Sequence, residues 1–236
     1  FLAGFGRNKV SLYNLTRSQP IVSAQSTKQQ CGKSIQKTVV SCFDQQADQS
    51  TISTTHRLFG TYKNELYSID LRSLRACLLY RTQSGRGFTQ ILKSSNGHYV
   101  YIVKRGSFTI DVLDTRQSYK KVNELKLPYK ISHQKMKACV TDTGGLNIGT
   151  DHGSVINWSR ELIEFGGINR DSNIVQTEVS AEREIMLPFN KSRLNIIQQC
   201  PTDPDIYAIS YSPDKFMDGP TEHEASGLLI AQNPTE

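Results

Sequence analysis

The stretch that most limits what this chain can fold into runs from Leu146 to Trp158, LNIGTDHGSVINW. Two short apolar runs, LNIG and SVINW, flank Asp151-His152-Gly153, and a glycine in that place supplies the positive φ that a tight hairpin turn needs. The hairpin ends on Trp158, the single tryptophan of the sequence. Its order of apolar, small, turn and aromatic residues is that of the inner strands of a propeller blade. A blade of four antiparallel strands cannot bury both faces or close its edges alone, so the pattern should recur along the chain.

It does recur. Gly60, Val103 and Gly149 fall in the second strands of successive rounds at spacings of about 43 to 46 residues, the blade period of WD-type propellers. FLAGFG and KVSLYNL, turning at Arg7-Asn8, read as the second half of a blade. TVVSCF, RLFGTY, ELYSIDL and RACLLYR predict a full blade; FTQIL, YVYIVK, FTIDVLD and VNELKL predict the next. MKACVT, LNIG and SVINW follow, with REIMLPF at 183 to 189 as a delayed fourth strand, and then RLNIIQQ, IYAISYS and GLLIA. Polar stretches at 16–37, 161–182 and 213–226 read as insertions outside the core. The one helix-like stretch is Ser180 to Glu184, too short to stand alone. The expected class is therefore all-β: a single WD-repeat β-propeller domain over 1–236. A closed seven-bladed ring needs roughly 280 to 320 residues at this period. The start without methionine, in mid-blade, fits a partial chain of such a ring.

Composition narrows the function classes. No run of roughly 18 apolar residues is present, so no membrane span is expected, and FLAGFGRNKV lacks the features of a secretory leader. The five cysteines include no close pair, which suggests neither a disulfide framework nor a zinc knuckle and favours buried free thiols in a reducing compartment. The net charge of +6, with a pI near 9.0, permits a polyanionic partner.

Catalytic motifs fail on inspection. TKQQCGKS, from Thr27 to Ser34, imitates a phosphate-binding loop but has Thr27 where the first glycine is required. His56, His98, His133, His152 and His223 are scattered, with no metal-binding spacing. The carboxylate pairs Glu161 with Glu164, Asp203 with Asp205 and Glu222 with Glu224 lie in polar insertions, where solvated loop charge is the simpler reading. Neither a GxSxG elbow nor a cysteine near a histidine offers a nucleophile. No enzyme activity, cofactor, metal or small-molecule substrate is expected.

The turns between second and third strands and the connections between blades share one face of a propeller. That face should carry Lys63, Arg86, Arg105, His133, Lys135, His152, Lys191 and Arg193, with Phe88 and Tyr129 near them. Cationic side chains beside aromatic rings suit phosphate contacts and base stacking on single-stranded RNA. A partner-binding loop surface that is merely polar and basic remains the alternative.

The run from Ser84 to Arg116, SGRGFTQILKSSNGHYVYIVKRGSFTIDVLDTR, resembles a blade of the telomerase Cajal-body WD-repeat protein family. Gly87-Phe88-Thr89-Gln90, Arg105, Asp114 and Arg116 sit at matching places. LAGFGRNKVSLYNL, VVSCF and GTDHGSVINW are similar to its neighbouring blades in the same order, so the likeness covers residues 2 to 158. In character the chain is similar to the small fungal members associated with splicing. Ser84 replaces the usual blade histidine, Leu113 the tryptophan before Asp114, and Val103 a small residue, which leads to an expectation of blades held by apolar packing. The resemblance implies a non-enzymatic nuclear scaffold in pre-mRNA splicing, with small nuclear RNA or snRNP proteins as partners. Its animal relatives would imply Cajal-body or telomerase RNA, and a protein-interaction propeller without RNA is the competing class.

Overall fold

The computed structural model describes residues 2–14, 16, 18–25, 38–45, 56–73, 75–132, 136–165, 178–188, 192–213 and 226–232. The described residues form antiparallel sheets that repeat along the chain as blades. The first sheet holds β1 (Leu2–Gly4), β2 (Lys9–Leu12) and β3 (Val22–Gln25). The next blade is β4 (Val40–Gln45), β5 (His56–Thr61), β6 (Glu65–Asp70) and β7 (Arg75–Arg81). After it come β8 (Phe88–Lys93), β9 (Tyr99–Lys104), β10 (Thr109–Asp114) and β11 (Lys120–Lys126). A further blade contains β12 (Ala138–Val140), β13 (Leu146–Gly149), β14 (Ser154–Trp158) and β16 (Arg183–Met186), and between its last two strands the chain forms a helix α1 (Arg160–Phe165) and the short β15 (Glu178–Val179), which joins the preceding blade. The last sheet has β17 (Ser192–Gln199), β18 (Ile206–Pro213) and β19 (Gly227–Gln232). This is the all-β propeller architecture expected from the repeat.

Radial stacking is visible in how the first strands of successive blades meet. β4 and β8 pair in parallel, Asp44 opposite Ile91 and Gln45 opposite Leu92. A parallel bridge joins Lys137, just before β12, to Ile196 of β17. The buried side chain of Gln90 ties three inner strands together: Nε2 donates to Gln45 Oε1 at 2.8 Å and to the Ala138 carbonyl at 2.9 Å, while Oε1 accepts from Ala138 N at 2.8 Å. Strands that alternate in burial would face water on one side. Here Tyr101, Ile102, Val103, Ile110, Val112 and Leu113 are all buried, because the β8–β11 blade is covered by a neighbour on both faces.

The recurring small residue of the second strand has a packing cause. A Cβ on Gly60 would lie 2.9 Å from the Phe88 Cβ of the next inner strand, and one on Gly4 would lie 2.6 Å from the Val40 Cβ. Gly149 meets Leu194 in the same way. Thus the glycines let an inner strand approach the preceding blade, and Val103 is the exception.

Trp158 is fully buried in the largest apolar cluster, with Ile148, Ile156, Leu125 and Ile163. It joins the cores of the β8–β11 and β12–β16 blades. The stretch 161–182, read from sequence as a polar insertion, contributes to the same joint. Ile163 of α1 is 1% exposed, its carbonyl accepts from Asn123 Nδ2 at 2.9 Å, and β15 adds in parallel to the outer edge of β11. Covering that edge removes a free row of backbone groups. Glu164 bonds Arg160 at 3.0 Å and Asn96 at 3.2 Å, so its carboxylate braces the insertion. The helix-like stretch Ser180–Glu184, too short to stand alone, forms no helix, and Arg183–Met186 pairs with β14 as the delayed fourth strand. Within 16–37, read as connection only, Val22–Gln25 pairs with β2 as a third strand. Three polar or small residues among the four of that run, Ser23, Ala24 and Gln25, hid it. Residues 26–37, 166–177 and 214–225 lie outside the described set.

Blades held by apolar packing alone are not what forms. Lys104 and Asp111 make an ion pair at 2.5 Å with both side chains fully buried, and Ser84, in the histidine position, accepts from Lys104 Nζ at 2.8 Å. The chain has replaced one buried polar network by another. Asp44 is likewise buried, 2.9 Å from Arg57 and 2.5 Å from Lys93 of the neighbouring inner strand.

Candidate functional site

One face of the propeller gathers the turns between second and third strands with the connections that enter the next blade. The gathering is enforced by backbone bonds. Asn8 N donates to the Thr38 carbonyl at 2.8 Å, Gly106 N to Ile131 at 2.7 Å, and Leu194 N to Thr150 at 2.9 Å. In the β4–β7 blade the same task falls to a side chain: Asn64 Oδ1 accepts from Gly87 N at 2.6 Å while Nδ2 donates to the Gly85 carbonyl at 3.1 Å. Asn8 Oδ1 accepts from Thr38 N at 3.0 Å in the corresponding way. Both asparagines have left-handed backbone, φ 56° and 57°, which Asn tolerates better than most residues. Each turn is therefore clasped to the connection beside it.

The predicted cations divide into groups on this face. Arg86 N donates to the Arg105 carbonyl at 2.6 Å, Arg105 N donates to Gly87 at 2.9 Å, and both side chains are exposed. The Arg86 stem also lies against the Gly106 turn. An arginine of the β7–β8 connection and one of the β9–β10 turn are thus joined through their backbones. Lys63 is exposed in the β5–β6 turn, next to Asn64 and so beside the same loop. His152 is exposed in the β13–β14 turn and its ring meets Tyr129 at 4.2 Å, with the planes tilted by 50°. Arg193 is half-buried at the start of β17, next to Leu194, whose N–H bonds Thr150 at the turn that carries His152. His133, Lys135 and Lys191 lie outside the described residues.

Two features escaped the sequence reading. Exposed Arg7, in the β1–β2 turn, and exposed Lys130, beside Tyr129, extend the basic arc. Arg7 could have been found from the turn position that marks Lys63 and Arg105. Phe88, expected near the surface as a stacking ring, is instead fully buried against Gly60 and the β8–β11 core. Tyr62, next in sequence to Lys63 and 40% accessible, is an exposed aromatic that lies against Gly87, and Phe108 in the β9–β10 turn is 53% accessible.

Beneath this rim the inner strands leave a cavity of about 470 Å³. It is lined by Ser41, Tyr62, Phe88, Thr89, Lys137, Asn195 and Ile196. Lys137 is half-buried, its Nζ donates to the Thr89 carbonyl, and burial pushes its ammonium below the usual lysine pKa. Cys42 lies nearby, its thiol pushed up to about 11 by burial, which leaves it a poor nucleophile. Among the described residues, no three His, Cys, Asp or Glu side chains are grouped to hold a metal ion.

No family model matches the sequence. The chain is 43% identical over 238 residues to Protein SWT21 of Zygosaccharomyces rouxii, covering 100% of this chain and 57% of that protein. To Protein SWT21 of Vanderwaltozyma polyspora it is 44% identical, covering 98% and 55%, and to that of Saccharomyces cerevisiae strain YJM789 34% identical, covering 88% and 60%. The chain thus spans little more than half the length of these curated relatives. They replace the telomerase Cajal-body WD-repeat family as its kin: their similarity runs through the whole chain, whereas the earlier resemblance rested on short blade motifs shared by propellers of many functions. Among solved structures, a chain of Kuenenia stuttgartiensis hydrazine synthase matches with a TM-score of 0.65 at 12% identity, covering 96% of this chain and 58% of that one. That likeness is one of fold alone.

Proposed function

We propose that this chain is the propeller part of a non-enzymatic nuclear scaffold that binds small nuclear RNA-protein particles in pre-mRNA splicing, contacting single-stranded RNA through the basic face. The observation that carries the reading is the junction of Arg86 and Arg105, two exposed arginines whose backbones are tied together by bonds at 2.6 and 2.9 Å, flanked by Lys63 and the exposed Tyr62. Guanidinium groups match phosphate geometry, and rigid turns spare the entropy of ordering loops on binding. Clasped turns on successive blades give the charges fixed positions, as a contact to an extended polyanion needs.

The test is binding of single-stranded RNA to the purified chain over a range of salt. Affinity should fall steeply with salt, and Arg86→Glu with Arg105→Glu should weaken binding and flatten the slope. Salt-insensitive association with a protein partner, unchanged by both reversals, would replace this reading with a protein-interaction propeller. Imaging of the tagged protein should find it in the nucleus, and RNA crosslinked to it in cells should be enriched in small nuclear RNA.

A further inference from the structure

The cavity beneath the rim is lined by the entering ends of β4 and β8, by Lys137 just before β12, by the middle of β17 and by Tyr62 just after β5, whose turn carries Lys63. We infer that this cavity receives a single nucleobase of the bound RNA, stacked on Tyr62 and hydrogen-bonded through a ring carbonyl to Lys137. The inference rests on the RNA reading proposed above and names what the pocket adds to it.

Three observations converge. Tyr62 presents a ring that is 40% exposed yet pinned on the Gly87 backbone, where even a Cβ would come within 2.8 Å of its Cδ1. A fixed aromatic face next to two cations suits a base whose phosphate stays on the rim. Lys137 comes next: an ammonium carries three N–H donors, and the Thr89 carbonyl takes one. The others are available to a ligand in the cavity that Lys137 lines, partly shielded from water, where an acceptor such as a uracil or guanine carbonyl gains more than it would in solvent. Finally, the volume of about 470 Å³ falls within the usual range of small-ligand pockets and accommodates one base. The backbone around the cationic group is fixed, because Lys137 N donates to Asn195 at 2.8 Å and Asn195 Nδ2 donates to Ser212 Oγ at 3.0 Å. Ser41 and Asn195 add neutral polar groups at the wall and leave no carboxylate to repel the RNA.

The experiment compares a short oligouridine with an abasic ribose-phosphate oligomer of equal length, binding each to the full chain and its variants. Lys137→Met, which keeps the stem and removes the ammonium, should weaken oligouridine binding about fivefold or more and leave the abasic oligomer unchanged. Tyr62→Leu should do the same, since loss of one base stack weakens binding about fivefold or more. Unchanged abasic binding also reports that each variant is folded. Equal weakening of both probes by Lys137→Met would make the lysine a phosphate contact and overturn the pocket. If Arg86→Glu weakens both probes while Lys137→Met and Tyr62→Leu change neither, the RNA reading stands and the base pocket falls. Failure of the unaltered chain to bind either probe removes both.

Discussion

Lys104 Nζ lies 2.5 Å from Asp111 Oδ1, and neither side chain reaches solvent. The pair spans β9 and β10, and Tyr80 of the preceding blade donates its hydroxyl to the other Asp111 oxygen at 3.1 Å. Burial, followed by the Asp111 charge, holds the Tyr80 phenol well above its usual pKa, so it remains a donor. Removing one partner of such a pair leaves a buried charge unmatched. Asp111→Ala should therefore cost about 3–5 kcal/mol in urea unfolding, whereas Lys104→Met with Asp111→Leu should cost much less. A loss in the double variant equal to the sum of the losses in Lys104→Met and Asp111→Leu alone would show that the charges act independently.

Gln90 offers a second test of how blades are joined. Replacing it by Leu keeps the apolar stem but strips the buried Ala138 N and carbonyl of their side-chain partner. Each unsatisfied group costs about 1–3 kcal/mol. The expected result is a lowered unfolding midpoint, with faster amide exchange at Ala138.

Gly60 should tolerate no larger residue. Gly60→Val places atoms against Cys42 Sγ and the Phe88 Cβ, at 2.8 and 2.9 Å already for the first carbon. Overpacking of this kind costs about 1–3 kcal/mol. Val103→Gly, at the corresponding strand position, should also destabilise, here through lost packing. Thermal unfolding of the two variants separates a steric rule from a general liking for glycine.

Asp114 predicts an acid dependence. The Arg116 side chain, which donates to it at 2.8 and 3.0 Å, holds its carboxyl below the ordinary value of 3.8. A carboxylate depressed in the folded state stabilises fully above its unfolded pKa and loses that contribution as pH falls through the folded one. The stability gap between the unaltered chain and Asp114→Asn should therefore be constant near neutrality and shrink below about pH 4. A gap that widens on acidification would contradict the assignment.

Strand alternation and turn residues made most of the blades legible, because a strand that packs between neighbours announces itself by its apolar positions. REIMLPF was readable as a delayed fourth strand for that reason. β3 was not: VSAQ has one large apolar residue, and its pairing depends on β2. The helix at Arg160–Phe165 was obscured because it is six residues long and one buried residue, Ile163, secures it, while three of the others are charged and Phe165 is exposed. For the candidate face, the turn positions of Lys63, Arg105 and His152 could be read from spacing, since the turns are fixed by local chemistry. Lys137 and Tyr62 could not. Their meeting in one cavity depends on how four distant inner strands converge, which no local window contains.

The clasp between each turn and its neighbouring connection separates where a charge is held from which charge it is. At Arg7-Asn8 and Lys63-Asn64 the asparagine makes the anchoring bonds while the residue before it points outward. At Arg105 the anchoring is done by backbone alone. The outward residue is thus a register whose value can be rewritten without moving it. Lineages with the same frame can then drift in charge, blade by blade, and change partners without having to evolve a new fold.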